Sequence, residues 1–260
     1  AFELGFSPSG YQDECPNCTG SSGILVTYRI DRGPMRDANG GKCKWLDHAT
    51  LGSGWYMGEE KFYPCPVCSQ DRLSDYCRIN CGLDAQGQMM TVGDLKTVPG
   101  KTAARKKALD IINSKDPAGF VTLHGEYGTG KTHVLKIVIN ALRMQRTIAR
   151  YVTLSDILAE IKDRFGDRAV TAGDIVTSYQ SYKALAIDEV DKINLTDWSR
   201  DILFQLMDAR YNRASDQLTI LAMNMTPEAY GKKHDMGYLT SRMQGGEVIE
   251  VSGADMRKVK

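Results

Sequence analysis

The stretch "HGEYGTGKTH", residues 124 to 133, places Gly125 and Gly130 five positions apart and follows them with Lys131 and Thr132. This is the Gly-x-x-x-x-Gly-Lys-Thr spacing of a phosphate-binding loop. Gly125, Gly128 and Gly130 let backbone N–H groups converge on phosphate oxygens, and a helix starting at the loop's end adds partial positive charge. Lys131 is suited to neutralise the β- and γ-phosphates, and the Thr132 hydroxyl to ligate magnesium. Thr129 and His133 complete the cofactor-binding stretch, His133 as a packing or solvated neighbour and not as a ligand. The competing reading is a glycine-rich turn carrying a surface lysine.

A triphosphate needs an acidic element facing that loop. "ALAIDEVD" (184–191) supplies an apolar run ending in Asp188 and Glu189. At the carboxyl end of a buried strand, Asp188 can hold magnesium through water and Glu189 can polarise the attacking water as general base. Alone, the same run is also a strand ending in a solvated acidic turn. Asn224 closes the apolar run "LTILAMN" and is placed to orient the lytic water, or else to cap a helix over "TPEAYGK". Arg242 and Arg257 are candidates to stabilise charge on the γ-phosphate, a task an arginine often performs from a neighbouring subunit. By spacing alone both are ordinary surface arginines.

All seven cysteines lie before residue 82. "CPNC" and "CPVC" are two C-x-x-C turns, and Cys15, Cys18, Cys65 and Cys68 together match a tetrahedral four-thiolate zinc site. A redox dithiol or free buried thiols are the alternatives. Cys65, Cys68, Cys77 and Cys81 form a rival ligand set, disfavoured because "LSDYCRINCGL" reads as helix; Cys43 is left outside both, although with Cys15 and Cys18 it could also serve as a ligand. The cysteine-bearing region has few large apolar residues, so metal binding would replace core burial as its source of stability.

These residues require a frame. Apolar residues at 42% and charged residues at 25% fit an ordinary globular chain. No apolar stretch approaches the roughly 20 residues of a membrane span, and "AFELGFSPSG" has neither the basic nor the apolar region of a signal peptide. The chain therefore reads as cytoplasmic, with no membrane partner. Net charge is −4 over residues 1–95 and +5 over 96–260, which places any nucleic-acid contact in the second part. Composition changes near residue 95, giving a zinc-binding domain over 1–95 and an ATPase domain over 96–260. In the second, strands are expected at Phe120–His124, Ile148–Thr153, Ala184–Ile187, Leu218–Met223 and Glu247–Val251. They alternate with helices over "TVPGKTAARKKALDIINS", "THVLKIVINALRMQ", "LSDILAEIKDRFG" (Ser155 as N-cap) and "TDWSRDILFQLMDARYN". Alternation of this kind gives an α/β fold with a parallel sheet.

The ordered set "GEYGTGKT", "LAIDEVD", "ILAMNMTP", "SRM" and "VIEVSGADMRK" resembles the DnaC/DnaI/IstB branch of AAA+ ATPases over residues ~97–260. The first two motifs are shared by many phosphate-loop proteins; the last two are specific to this branch. The resemblance implies an AAA+ core with a five-stranded parallel sheet in the order 5-1-4-3-2 and ATP hydrolysis with Mg2+. It implies Arg242 as an arginine finger acting on a neighbour in a ring or spiral homo-oligomer, and Arg257 as a sensor acting in cis. It further implies loading of a DnaB-type replicative helicase onto single-stranded DNA, with a zinc module docking on the helicase. The IstB-type alternative binds target DNA and activates a transposase. A nucleotide switch in a zinc-dependent adaptor is a third possibility, against which Glu189 argues. Family members touch single-stranded DNA with the segment matching 155–182, where Lys162, Arg164, Arg168, Tyr179, Tyr182 and Lys183 offer cations and aromatic faces, or else a solvated helix with packed tyrosines.

Overall fold

The computed structural model describes residues 23–27, 60–64, 68–96, 98–164 and 171–255. The chain divides into two compact units, Ala1–Asp75 and Tyr76–Lys260. In the first, β1 (Gly23–Thr27) pairs antiparallel with β2 (Glu60–Pro64), Gly23 opposite Pro64 and Thr27 opposite Glu60. Gly23 and Pro64 therefore mark one end of the ladder. Helix α1 (Cys68–Asn80) begins in the first unit and ends in the second.

The second unit is built on five parallel strands, β3 (Gly119–His124), β4 (Ala149–Thr153), β5 (Ala184–Asp188), β6 (Leu218–Met223) and β7 (Glu247–Glu250), in the spatial order β4-β5-β6-β3-β7. Numbered within this unit, the order is the expected 5-1-4-3-2. Every residue of β5 and β6 is buried, as strands covered on both faces must be. Successive side chains go to opposite faces. Ala184 and Ala186 of β5, with Ala222 of β6, lie under α4 (Lys131–Met144) and α3 (Thr102–Asn113). Leu185, Ile187, Leu221 and Met223 pack into the other layer. That layer is formed by α5 (Leu154–Asp163), α6 (Ala172–Ser181), α7 (Asp197–Asn212), α8 (Pro227–His234) and α9 (Gly237–Gly245).

Residues 76–95 pack with this unit. Cys81, Leu83 and Leu95 join the core on the α4 side, and the Tyr151 N–H donates to the Cys81 carbonyl at 2.8 Å. Asn140 of α4 donates to the carbonyls of Gln88 (3.1 Å) and Met90 (2.6 Å), which flank the end of α2 (Ala85–Met89). Composition shifts near residue 95 because all the cysteines and all but one of the tryptophans lie before it. The packed unit begins earlier because this segment supplies apolar side chains that α4 needs. Cys77 and Cys81 are buried free thiols, and burial followed by the neighbouring Cys81 pushes the Cys77 thiol up, as in inert core cysteines. Such burial disfavours the rival ligand set that includes them. Among the described residues no cluster of metal-ligating side chains occurs, and Cys15, Cys18, Cys43 and Cys65 lie outside the described residues, as does the side chain of Cys68.

One local expectation changes, and one open choice narrows. Helix α5 is capped by Thr153, whose hydroxyl accepts from the Asp156 N–H at 3.1 Å, while Ser155 lies inside the helix. A threonine ending a strand is already extended, which is the backbone an N-cap needs. Tyr179 is buried, donates to Glu160 at 2.6 Å and accepts from Arg150 at 3.4 Å; Tyr182 is half-buried in the same core. These tyrosines pack: Tyr179 is buried, and Tyr182 lies against Tyr179 and Arg150. Lys162 lies over the Trp198 ring, Lys183 pairs with Asp116, and Arg168 lies outside the described residues.

Candidate nucleotide site

The strand order reverses between β3 and β6: from β3 the chain crosses to β4, and β6 returns to lie beside β3. Crevices at the carboxyl ends of strands form at such a switch point. Here β3 runs into the glycine-rich loop, β5 ends at Asp188, and β6 ends next to Asn224. A cleft of about 540 Å³ opens between them, and Lys131, Thr132, Asp188, Glu189 and Asn224 all line it.

Loop geometry follows from its glycines. Gly128 and Gly130 have φ of +75° and +94°, in the left-handed region that favours glycine. A Cβ on Gly125 would overlap the Val251 carbonyl, and one on Gly128 would overlap the Asp255 carboxylate. Gly130 is the N-cap of α4 and offers no side chain to its first turn. Four other helices of this sheet are closed by hydroxyls, Thr153, Thr171, Thr196 and Thr226, whereas α3 and α9, like α4, have no side-chain cap. The first N–H groups of α4 are thus left to an anion.

Lys131 is buried, and its ammonium donates to the carbonyls of Gly125 (2.7 Å) and Glu126 (2.8 Å) and to Thr129 Oγ1 (3.5 Å). Thr129 itself donates to the Glu126 carbonyl at 2.9 Å. His133 lines the cleft wall with Nε2 3.4 Å from the Asp94 carbonyl.

Asp188 is the hub. Its Oδ2 accepts from Thr132 Oγ1 at 2.6 Å and from the Tyr151 hydroxyl at 2.9 Å, and its Oδ1 accepts from the Glu189 N–H at 2.8 Å. Burial, then the charge of Asp188, push the Tyr151 phenol far above its ordinary value, so its hydroxyl stays a donor. Glu189 sits at φ 57°, a left-handed conformation unusual for a side chain of its kind, and is ion-paired to Lys192. Such strain is held only where surrounding contacts over-determine it. Here the Val190 N–H donates to the Ala222 carbonyl at 3.1 Å, and the Asp191 carboxylate accepts from the N–H groups of Asn224 (2.7 Å) and Met225 (3.1 Å). The Asn224 amide also donates to Asp191 at 3.2 Å, which fixes it at the cleft, and the cap of α8 is Thr226 instead.

The two arginines do not join this cluster. Arg242 of α9 is not among the residues lining the cleft; it pairs with Asp208 of α7 and lies within 6.0 Å of the Phe204, Tyr211 and Tyr238 ring centres. Arg257 lies outside the described residues. Sequence reasoning missed Tyr151, Asp191 and Lys192. Asp191 and Lys192 stand in the continuation of "DEVDK" and were visible as charges; Tyr151 carries no motif, since only the register beside β5 brings it to Asp188.

The family of IstB-like ATP binding proteins matches residues 93–259. The replicative helicase loader DnaI of Bacillus subtilis is 26% identical over 206 residues, covering 75% of this chain and 62% of DnaI. An ATP-binding protein of insertion sequence IS232 from Bacillus thuringiensis is 31% identical over 122 residues, covering 44% of this chain and 46% of that protein. The chain thus spans less than two thirds of the length of these curated relatives. A crystal structure of DnaI superposes with a TM-score of 0.55 at 16% identity, over 71% of this chain and 98% of that one, which is a likeness of fold.

Proposed function

Since this chain belongs to the family of IstB-like ATP binding proteins, we propose that it is an ATP-hydrolysing loader that places a replicative hexameric helicase on single-stranded DNA. One observation carries the ATPase half: Thr132 and Asp188, 56 residues apart in sequence, meet at 2.6 Å beside a helix N-terminus with no side-chain cap. Their hard oxygen donors suit magnesium. When bound, magnesium neutralises the β- and γ-phosphate oxygens. Lys131 exchanges two carbonyl acceptors for phosphate oxygens, which are stronger partners because they are charged. Glu189, released from Lys192, accepts a proton from the attacking water, and Asn224, braced by Asp191, orients that water.

The loader half is supported by the extent of the likeness. The DnaI match takes in 75% of the chain, more than residues 93–259 contain, so it reaches upstream of the family match. In the first unit, antiparallel pairing puts Gly23 opposite Pro64, and the two C-x-x-C motifs stand in sequence before the one and after the other. This supports zinc held by Cys15, Cys18, Cys65 and Cys68 in a module that docks on the helicase. Arg242, held away from its own cleft, suits action on a neighbouring copy in a ring or spiral.

The IS232 likeness favours a second reading, an ATPase that coats target DNA and activates a transposase. Capture from source-cell extract with ATP, together with binding to single- and double-stranded oligonucleotides, separates the two. The loader retains a hexameric helicase and prefers single strands. Recovery of a transposase with preferential coating of duplex would replace the loader reading.

A further inference from the structure

Tyr151 is a side-chain donor on Asp188 that the proposed nucleotide chemistry does not account for. It stands on β4, two positions before Thr153, which is opposite Asp188 in the parallel register. Its hydroxyl reaches Asp188 Oδ2 at 2.9 Å, the same oxygen that accepts from Thr132 at 2.6 Å. Its ring packs against the core on the α4 side, and the Lys136 ammonium of α4 lies 5.4 Å from the ring centre. Lys136 is held there by Asp84, 3.1 Å away, whose carboxylate also caps α2 by accepting from the Gly87 N–H at 2.7 Å. The phenol is thus fixed from the ring side and aimed at one carboxylate oxygen.

A threonine hydroxyl has a proton as well as lone pairs, so Thr132 can donate to Oδ2 and still turn a lone pair to a cation. Tyr151 adds a second donor to that same oxygen from the neighbouring strand β4. It thereby holds the Asp188 carboxylate in the rotamer in which Oδ2 meets Thr132.

Resting on the ATP·Mg2+ reading of this site, we propose that Tyr151 is a positioning residue that orients Asp188 for the magnesium ion of the bound nucleotide. Groups of this kind, one bond removed from the metal's oxygen ligands, typically change metal affinity by about 10- to 100-fold when removed.

The test is Tyr151→Phe, which keeps the ring and its packing and deletes only the donor. Affinity for a fluorescent ATP analogue is measured on the full chain with excess Mg2+ and with EDTA, and Mn2+ binding to the protein–nucleotide complex is followed by electron paramagnetic resonance. In the variant, Mn2+ affinity falls about tenfold, and the gain in nucleotide affinity brought by Mg2+ shrinks, while binding in EDTA stays within about twofold of the parent. Lys136→Met, which removes the cation over the ring, gives a smaller loss of the same kind. Equal Mn2+ affinity in parent and Tyr151→Phe overturns the proposal, as does an equal loss with and without Mg2+, which marks a structural role. If the parent chain itself binds nucleotide no better with Mg2+ than without, the reading of the site fails before Tyr151 is at issue.

Discussion

Lys131 spends its charge on backbone carbonyls of its own loop, at 2.7 and 2.8 Å. Replacing those neutral acceptors by phosphate is favourable, and losing the ammonium leaves bound phosphate charge unpaired. Lys131→Ala is expected to weaken ATP binding by about 3 kcal/mol, roughly a hundredfold, in calorimetric titration. Unchanged affinity would remove the phosphate loop from the account. Glu189→Gln separates binding from chemistry: nucleotide affinity persists while turnover drops by about 10²–10⁴-fold, the usual weight of a general base. Full turnover in that variant would return Glu189 to the role of a solvated acidic turn.

Elements hold these residues through contacts that no motif encodes. Arg210 of α7 is fully buried and donates to Thr219 Oγ1 at 2.9 Å and to the carbonyls of Gln180, Tyr182 and Leu218. It ties the end of α6 to the start of β6, the strand that carries Asn224. Burial, then the nearby charge of Arg213, bring its guanidinium down to about 10, still protonated at neutral pH. Arg210→Met leaves three carbonyls without their donor and is expected to cost about 2–4 kcal/mol in denaturant unfolding; a loss below the error of the extrapolation would contradict this. On α8, burial, then Lys233 and Arg200, hold the His234 imidazole below its ordinary value of 6.5, against the pull of Asp191. The unfolded chain then takes up a proton that the folded chain refuses. The stability contribution is complete above pH 6.5 and is lost as pH falls through the window below it. His234→Phe should therefore lose less melting temperature than the parent between about pH 7.5 and about pH 5.5. Parallel losses would show that another group sets the acid limb.

At the scale of the whole molecule, Arg242 makes the claim that one chain cannot test alone. Arg242→Ala is expected to bind ATP and fail to turn it over, while Lys131→Ala binds it roughly a hundredfold more weakly. If the arginine acts on a neighbour, mixtures of the two regain activity, because one interface in the mixture pairs an intact loop with an intact arginine. No recovery at any ratio would place the arginine's role within its own chain, in the Asp208 pair of α7. For the first unit, metal analysis of the full chain should find one zinc per chain, abolished by Cys15→Ser with Cys65→Ser. Zinc-free protein of undiminished stability would leave the cysteines as thiols.

The sequence determined the parts whose physics is local. A loop that needs glycine at fixed offsets, a lysine and a hydroxyl on one helical turn, and acids closing an apolar run are all readable within ten residues of chain. The strands were readable for the same reason, since burial on both faces demands unbroken apolar runs such as "ALAI" and "LTILAM". Ser155 was misplaced, and the tyrosines of 155–182 stayed open between stacking and packing, because caps and faces depend on where a neighbouring element ends. Only the tertiary structure decided what crosses between strands: Tyr151 on Asp188, Asp191 beneath Asn224, Arg242 turned from its own cleft, and residues 76–95 packed onto α4. Each of these is a pairing between positions far apart in the chain, and register and strand order, which set it, leave no trace in spacing.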